Sequence, residues 1–248
     1  MATRETSLSA TLIELADTLV SDYDLLDFLD LLLERSTGVV AASAGGVMLT
    51  NGKAELQVLA STDERMRLME LFELQRQEGP CVDSYRRGEQ VVEDDLERSS
   101  RWPQFTPVAV QEGYRSAFAF PLRLRGEVIG ALNIFRERPG PVEAADLHAT
   151  QALADMATIG ILQERAVREA RQFAGHLQTA LNSRVVIEQA KGILAERAGL
   201  TMGEAYQALR WYARNHNRRL REVAAAIVSS DLTAEEVTIM PDQGRRTS

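Results

Sequence analysis

From Val142 to about Ala198 nothing but three glycines interrupts a helical reading, while Pro139 and Pro141 close the segment just before it. A proline inside a helix costs about 3 kcal/mol and stops a strand ladder as well. Any sheet is therefore confined to the front of the chain, and the back must fold as helices. Within the long stretch, Leu147, Leu153, Met156 and Ile161 can pack against a sheet or a partner helix. Residues 163–183 are polar and poor in large apolar side chains, with Leu177 and Leu181 as a thin seam. They read as a helical connector of the kind that pairs with its twin in a dimer.

The front follows a different period. Leu8 to Glu34 places leucines at helical spacing, enough for one or two amphipathic helices. Gly46–Thr50 and Glu55–Ala60 are short strands around Asn51-Gly52, a hairpin signal. A helix over about Asp63–Gln75 and a strand over Gln90–Asp94 come next. Ser116–Leu124 and Glu127–Arg136 form a second hairpin turning at Arg125-Gly126. The expectation is an α+β chain: an antiparallel sheet flanked by helices, then a helical connector and a small all-α bundle.

Charge divides the chain in the same way. The net of −8 argues against nucleic acid if read alone. Residues 1–165 carry −11, however, whereas 166–248 carry +3 and the stretch 184–230 carries +4. An acidic body with a basic tail points to a nucleic-acid partner for the tail only. Only Lys53 and Lys191 are lysines; the remaining basic residues are arginines, a bias that suits a GC-rich bacterial genome. The lone Cys81 forms no intrachain disulfide, and no signal-peptide core or membrane-length apolar run is present. Together these lead us to expect a cytoplasmic protein without a membrane partner.

The basic tail reads as three helical segments. The first, from about Asn182 to Ala198, buries Ile187, Ala190 and Leu194 and ends at Gly199. Arg184, Glu188 and Lys191 share another face, which a salt-bridged solvent surface would also explain. The second starts at Thr201, whose spacing to Glu204 is that of a capping box, and runs to about His216. Ala205, Ala208, Leu209 and Tyr212 suit its core face. Tyr206, Arg210 and Arg214 stand four apart on another, with Asn217 extending the edge. Unstacked RNA bases pack on rings and guanidinium planes, amides read base edges, and arginine neutralises phosphate. The bland alternative is a core Tyr206 with solubilising arginines. The third segment, about Arg219–Ser230, buries Leu220, Val223, Ala224 and Ile227.

The run Arg184-Val-Val-Ile-Glu-Gln-Ala-Lys-Gly-Ile-Leu, then Glu204-Ala-Tyr with Leu209-Arg210, then Leu220 with Val223-Ala224, resembles the ANTAR domain of bacterial antitermination regulators. The resemblance implies a three-helix module that binds paired short RNA hairpins. It implies roles in RNA binding for Arg184, Gln189, Lys191, Gly192, Tyr206 and Arg210; the stripe argument adds Arg214, Asn217 and Arg219. Gly192 inside a helix costs about 1 kcal/mol against alanine, which close helix packing or close RNA approach would justify.

Glu78-Gly-Pro-Cys-Val-Asp, Arg101-Trp-Pro, Phe120-Pro-Leu and Ile129-Gly-Ala-Leu-Asn resemble a GAF sensor domain of the type joined to such modules. That resemblance implies a small-molecule or redox-sensing pocket between the sheet and its middle helices, with no ligand named. Cys81, Trp102 and Phe120 are its candidate sensing residues. Cys81 follows Gly79-Pro80, where a helix can begin, and a helix N-terminus lowers a thiol pKa; an inert buried cysteine is the plainer reading. His148, His176 and His216 are scattered, and no zinc spacing or phosphate loop occurs. No catalytic residue, metal or cofactor is assigned. The expected division is a sensor at 1–165, a connector at 166–181, an RNA-binding module at 182–232 and a flexible tail at 233–248. The expected protein is a signal-controlled, homodimeric antitermination regulator. A DNA-binding factor with the same sensor and a Cys81-based redox sensor are the competing readings.

Overall fold

The computed structural model describes residues 2–20, 24–51 and 55–238. Two helices open the chain, α1 (Ala2–Val20) and α2 (Leu25–Val39), the second capped by the Asp24 carboxylate accepting from the Leu26 amide at 2.8 Å. Strands β1 (Ala44–Thr50) and β2 (Leu56–Ser61) follow, then helices α3 (Glu64–Arg76) and α4 (Pro80–Arg87). The turn expected at Asn51-Gly52 falls partly on 52–54, outside the described residues. Strand β3 (Val91–Glu93), a short 3-10 turn at Leu96–Arg98 and helix α5 (Phe105–Gln111) lead to the long hairpin β4 (Ser116–Leu124) and β5 (Glu127–Arg136). That hairpin turns on Arg125 and Gly126, both with positive φ, as a tight turn of matching twist requires. Helix α6 (Ala144–Ala198) then runs 55 residues, followed by α7 (Met202–Asn215), α8 (Leu220–Val228) and α9 (Ala234–Thr238).

The five strands form one antiparallel sheet in the order β2-β1-β5-β4-β3. Strand alternation sends side chains to opposite faces. One face carries Val47, Leu49, Phe118, Phe120, Leu132 and Ile134 into a large core with α1, α2 and Leu153, Ala154, Ala157 and Ile161 of α6. The other face mixes small residues with Met48 and Phe135. Ala44, Gly46, Ala117, Ala119, Ala131 and Asn133 lie on it, covered by α3, α4 and α5. Met66, Met69, Trp102, Phe105 and Tyr114 fill the space those small side chains leave.

The chain divides into two compact units, Met1–Ala166 and Val167–Ser248. The second has its own core: Ala190 and Leu194 of α6, Ala205, Ala208, Leu209 and Ala213 of α7, Val223, Ala224 and Ile227 of α8, and Leu232, Ala234 and Val237. Thr201 and Glu204 form the expected capping box, with the Thr201 amide donating to Glu204 at 2.8 Å and the Glu204 amide to Thr201 at 3.3 Å.

Three expectations are corrected here. No separate helix begins at Asn182; that segment is the end of α6, because nothing between 163 and 183 breaks the backbone pattern. The tail placed at 233–248 starts too early, since α9 buries Ala234 and Val237 in the helical core; residues 239–248 lie outside those described. Asn217 does not extend the α7 edge. Helix α7 ends at Asn215, and Asn217 takes a left-handed conformation (φ 49°) in the turn to α8.

Candidate nucleic-acid interface and sensor interior

The second unit brings part of the basic set together. Tyr206 sits half-buried on α7, and the Lys191 ammonium reaches over it from α6, 5.7 Å from the ring centroid. Arg210, one turn along α7, holds its guanidinium carbon 5.9 Å from the same centroid. A ring between two cations is a flat, electron-rich surface edged with positive charge. Lys191 also pairs with Glu188 at 2.8 Å, so its charge is partly answered within the chain. A groove of about 660 Å³ opens beside this ring, lined by Arg184, Ile187, Lys191, Met202, Gly203 and Tyr206. Arg184 and Gln189 are exposed on α6, as is Arg214 at the end of α7. Arg219 caps α8, where its amide donates to Glu222 at 3.3 Å. Thus Arg184, Lys191, Tyr206 and Arg210 converge, while Arg219 and Asn217 stand at the turn beyond α7.

A Cβ at Gly192 would meet nothing within 4 Å. Helix packing inside the unit therefore does not explain that glycine. Met202 and Gly203 were missed from sequence. The signal was present: an exposed methionine directly after a helix cap, where apolar residues normally turn inward.

The sensing candidates of the first unit are not brought together. Phe120 points into the core against α1, α2 and α6, on the opposite sheet face from Trp102 and Cys81. Trp102 packs edge-on to Phe105 (6.1 Å), donates from Nε1 to Asp83 at 3.3 Å and lies under the Arg101 guanidinium. It is a core residue with one satisfied polar atom. Cys81 is fully buried, with Sγ 3.8 Å from the Ala131 carbonyl.

Cys81 does occupy the first turn of α4, but the helix end serves another group. The Glu73 carboxylate accepts from the Cys81 amide at 2.5 Å and the Val82 amide at 3.1 Å, and from Asn133 Nδ2 at 2.9 Å. The thiol therefore faces an acidic neighbour inside an apolar shell. Burial pushes its pKa well up, and Glu73 and Glu70 push it further. That is the reverse of an activated thiol.

Sequence reasoning passed over Glu70 and Glu73. Helix α3 buries Met66, Met69, Glu70 and Glu73, an i, i+3, i+4, i+7 stripe that is half carboxylate. Two acids on the apolar face of a helix were the available signal. Burial raises the Glu73 pKa to about 8, against the pull of its hydrogen bonds from Val82, Asn133 and Cys81. Glu70 is raised well above the carboxylate range by burial first and by Glu73 second. Among the described residues no group of three or more His, Cys, Asp or Glu is arranged to hold a metal ion. Likewise no described helix is long and apolar enough to cross a membrane.

The chain thus has an acidic α+β unit followed by a basic helical unit, each with its own core. A family model for the GAF domain matches residues 22–162, more than half of the chain, and one for the ANTAR domain matches residues 175–228. The chain belongs to the GAF domain family and has the GAF–ANTAR architecture.

Solved structures agree on the fold of the first unit. The GAF domain of a phosphoenolpyruvate-protein phosphotransferase from Coxiella burnetii is 16% identical with a TM-score of 0.53, covering 66% of this chain and 98% of its own. The corresponding Acinetobacter domain is 18% identical with a TM-score of 0.50, covering 65% and 97%. Free methionine-R-sulfoxide reductase from Neisseria meningitidis, solved with its substrate, is 16% identical with a TM-score of 0.50, covering 67% and 92%. No curated protein sequence matches the chain.

Proposed function

We propose that this protein is a signal-responsive transcription antitermination regulator without catalytic activity of its own. Its second unit binds paired short hairpins in nascent RNA, and its first unit controls that binding. The carrying observation is the Tyr206 ring with Lys191 and Arg210 both within 6 Å of its centroid, on the lining of the groove. Hairpin loops offer unstacked bases for the ring and phosphates for the cations. Arg184, Gln189, Gly192, Arg214 and Arg219 complete the proposed RNA-facing set. The working division is a sensor at 1–165, a helical connector at 166–181 and the RNA module from 182.

The connector supports a homodimer. Phe173, Leu177, Leu181 and Val185 are each at least half exposed along α6, and two copies would cover them in a helix pair. Two linked modules meeting two hairpins gain affinity through effective concentration. The signal is a small molecule received by the first unit in the cytoplasm. The fully buried Cys81 favours this over a thiol switch.

The test is a titration of the full chain against a tandem-hairpin RNA, with duplex DNA of the same sequence in parallel. Selective RNA binding that falls at least about tenfold in Lys191→Ala/Arg210→Ala supports the reading. Equal binding to duplex DNA would replace it with a DNA-binding regulator.

A further inference from the structure

The two edges of the sheet are finished differently. Strand β3 is three residues long, ends in Glu93, and has its Val92 carbonyl taken by Arg101 Nη1 at 3.4 Å. Short length, charge and a covering side chain are ways in which proteins close a sheet edge. Strand β2 is the other edge. Its Leu56–Ser61 run carries no charge and no proline, and no described side chain is bonded to its outer groups. A ladder bulge opposite Val47 and Met48 disturbs its second half and leaves 56–58 regular. The direction of the open groups follows from the ladder. The Asn51 amide donates to the Glu55 carbonyl at 2.9 Å, so that pair is bonded inward. Antiparallel pairs alternate, so Gln57 is bonded to Leu49, and the N–H and C=O groups of Leu56 and Val58 point away from the sheet.

These outer groups lie along a groove of about 690 Å³ at the rim of the sheet. Helix α2 walls one side with exposed Leu26 and Asp30, and α3 walls the other with Arg67, exposed Leu71 and half-buried Leu74. Arg67 is answered by Glu64 at 2.7 Å, whereas Asp30 has no ion pair among the described residues. The groove thus offers main-chain donors and acceptors on its floor, leucines on both walls and an unanswered negative charge. A second copy of β2 fits this poorly. Two-fold antiparallel pairing keeps like faces together, so it would set α2 against α2, with the exposed Asp27 and Asp30 of both copies on one side. An extended segment that carries positive charge on that side fits it.

We propose that the open edge of β2 docks an extended segment of a partner protein, with apolar side chains at alternate positions and arginine or lysine between them. The segment adds a strand to the sheet by bonding to the outward groups of Leu56 and Val58. Strand alternation then sends one set of its side chains to each wall. The apolar set packs on Leu71 and Leu74, beside Leu56 and Val58, which already face α3. The basic set faces Leu26 and Asp30, where the aliphatic stem covers the leucine and the charge meets the carboxylate. Main-chain bonds supply affinity, and the two walls supply choice of sequence.

The experiment titrates the full chain into a fluorescent, terminally blocked peptide, Ile-Arg-Val-Arg-Val-Thr, and reads anisotropy. Controls are a reordered peptide with its arginines adjacent, a version with glutamate for arginine, and two N-methylated versions that each block one backbone edge. The alternating arginine peptide should bind. One N-methylated version should lose at least about tenfold and the other little, because only one edge meets β2. Asp30→Arg should weaken the arginine peptide about fivefold and favour the glutamate version. Val58→Pro removes an outward N–H that the β1 ladder does not use and should abolish binding. A Trp211→Phe background leaves Trp102 to report whether the first unit of each variant is folded. Should Val58→Pro fold poorly, Asp30→Arg and the methylated peptides decide. No binding by the unsubstituted chain, equal binding of the reordered peptide, or equal loss from methylating either edge would overturn the proposal. So would self-association that Asp30→Arg alters in sedimentation, since a second copy would then occupy the edge.

Discussion

The two units treat charge in opposite ways. The first is acidic overall yet takes two carboxyl groups, Glu70 and Glu73, fully out of solvent beside small side chains of its sheet. The second is basic and keeps its described arginines exposed, over a core made mostly of alanine, leucine, valine and isoleucine. Charge held inside is expensive and responds to whatever neutralises it; charge held outside costs little and serves encounter with a partner. The contrast matches a division between receiving a signal and presenting an output surface.

The largest effect that would sharpen this contrast is on stability. Leu209→Ala should cost the second unit about 2–5 kcal/mol, enough to unfold so small a core. Calorimetry should show its transition lost while that of the first unit stays unchanged. A concerted loss of both would mean that the units are not energetically separate.

Next comes pH. The Glu73 pKa is about 8 in the folded state against an ordinary 4.5. Between those values the folded chain holds a proton that the unfolded chain releases, so stability is full below about 4.5 and declines as pH rises toward 8. The Trp102-reported Tm should fall by several degrees from pH 5 to 8.5, and Glu73→Gln should flatten the profile. In the second unit the Thr201 amide and hydroxyl hold Glu204 below its ordinary range. Its contribution is present above pH 4.5 and is lost as pH falls through the depressed value. Trp211 fluorescence should therefore show the opposite slope, at acid pH; parallel slopes would break the comparison.

Smaller still is the cap. Thr201→Ala removes a side-chain acceptor from the start of α7 and should destabilise the second unit by about 1 kcal/mol, read from its denaturation midpoint. The smallest effect on stability is the most informative about the surface. Gly192→Ala meets no neighbour and should stabilise α6 by about 0.5–1 kcal/mol. If RNA approaches that backbone closely, the same variant should bind hairpin RNA more weakly. Unchanged RNA affinity would remove Gly192 from the proposed interface.

Legibility in sequence tracked locality. The hairpin Ser116–Leu124/Glu127–Arg136 and the Thr201–Glu204 cap were readable to the residue, because turn chemistry and capping act over four or five positions. The short helices α4 and α5 were not placed, since eight and seven residues carry too few turns to show a period. Ala234 and Val237 looked like an unstructured tail because their partners lie on other helices. Phe120 was assigned to a sensing pocket on a motif, but strand parity sends it to the other core.

By itself the sequence determined where sheet gives way to helix, which part is basic, and how α7 begins, since proline, charge and caps act through neighbouring residues. Only the tertiary structure decided that Lys191 reaches Tyr206, that Phe120 and Cys81 lie on opposite faces, and that Glu73 meets Asn133 across the sheet interior. Those relations depend on which strands pair and which helix covers which face. Burial, which sets the cost of a charge, exists only once those distant segments have closed around it.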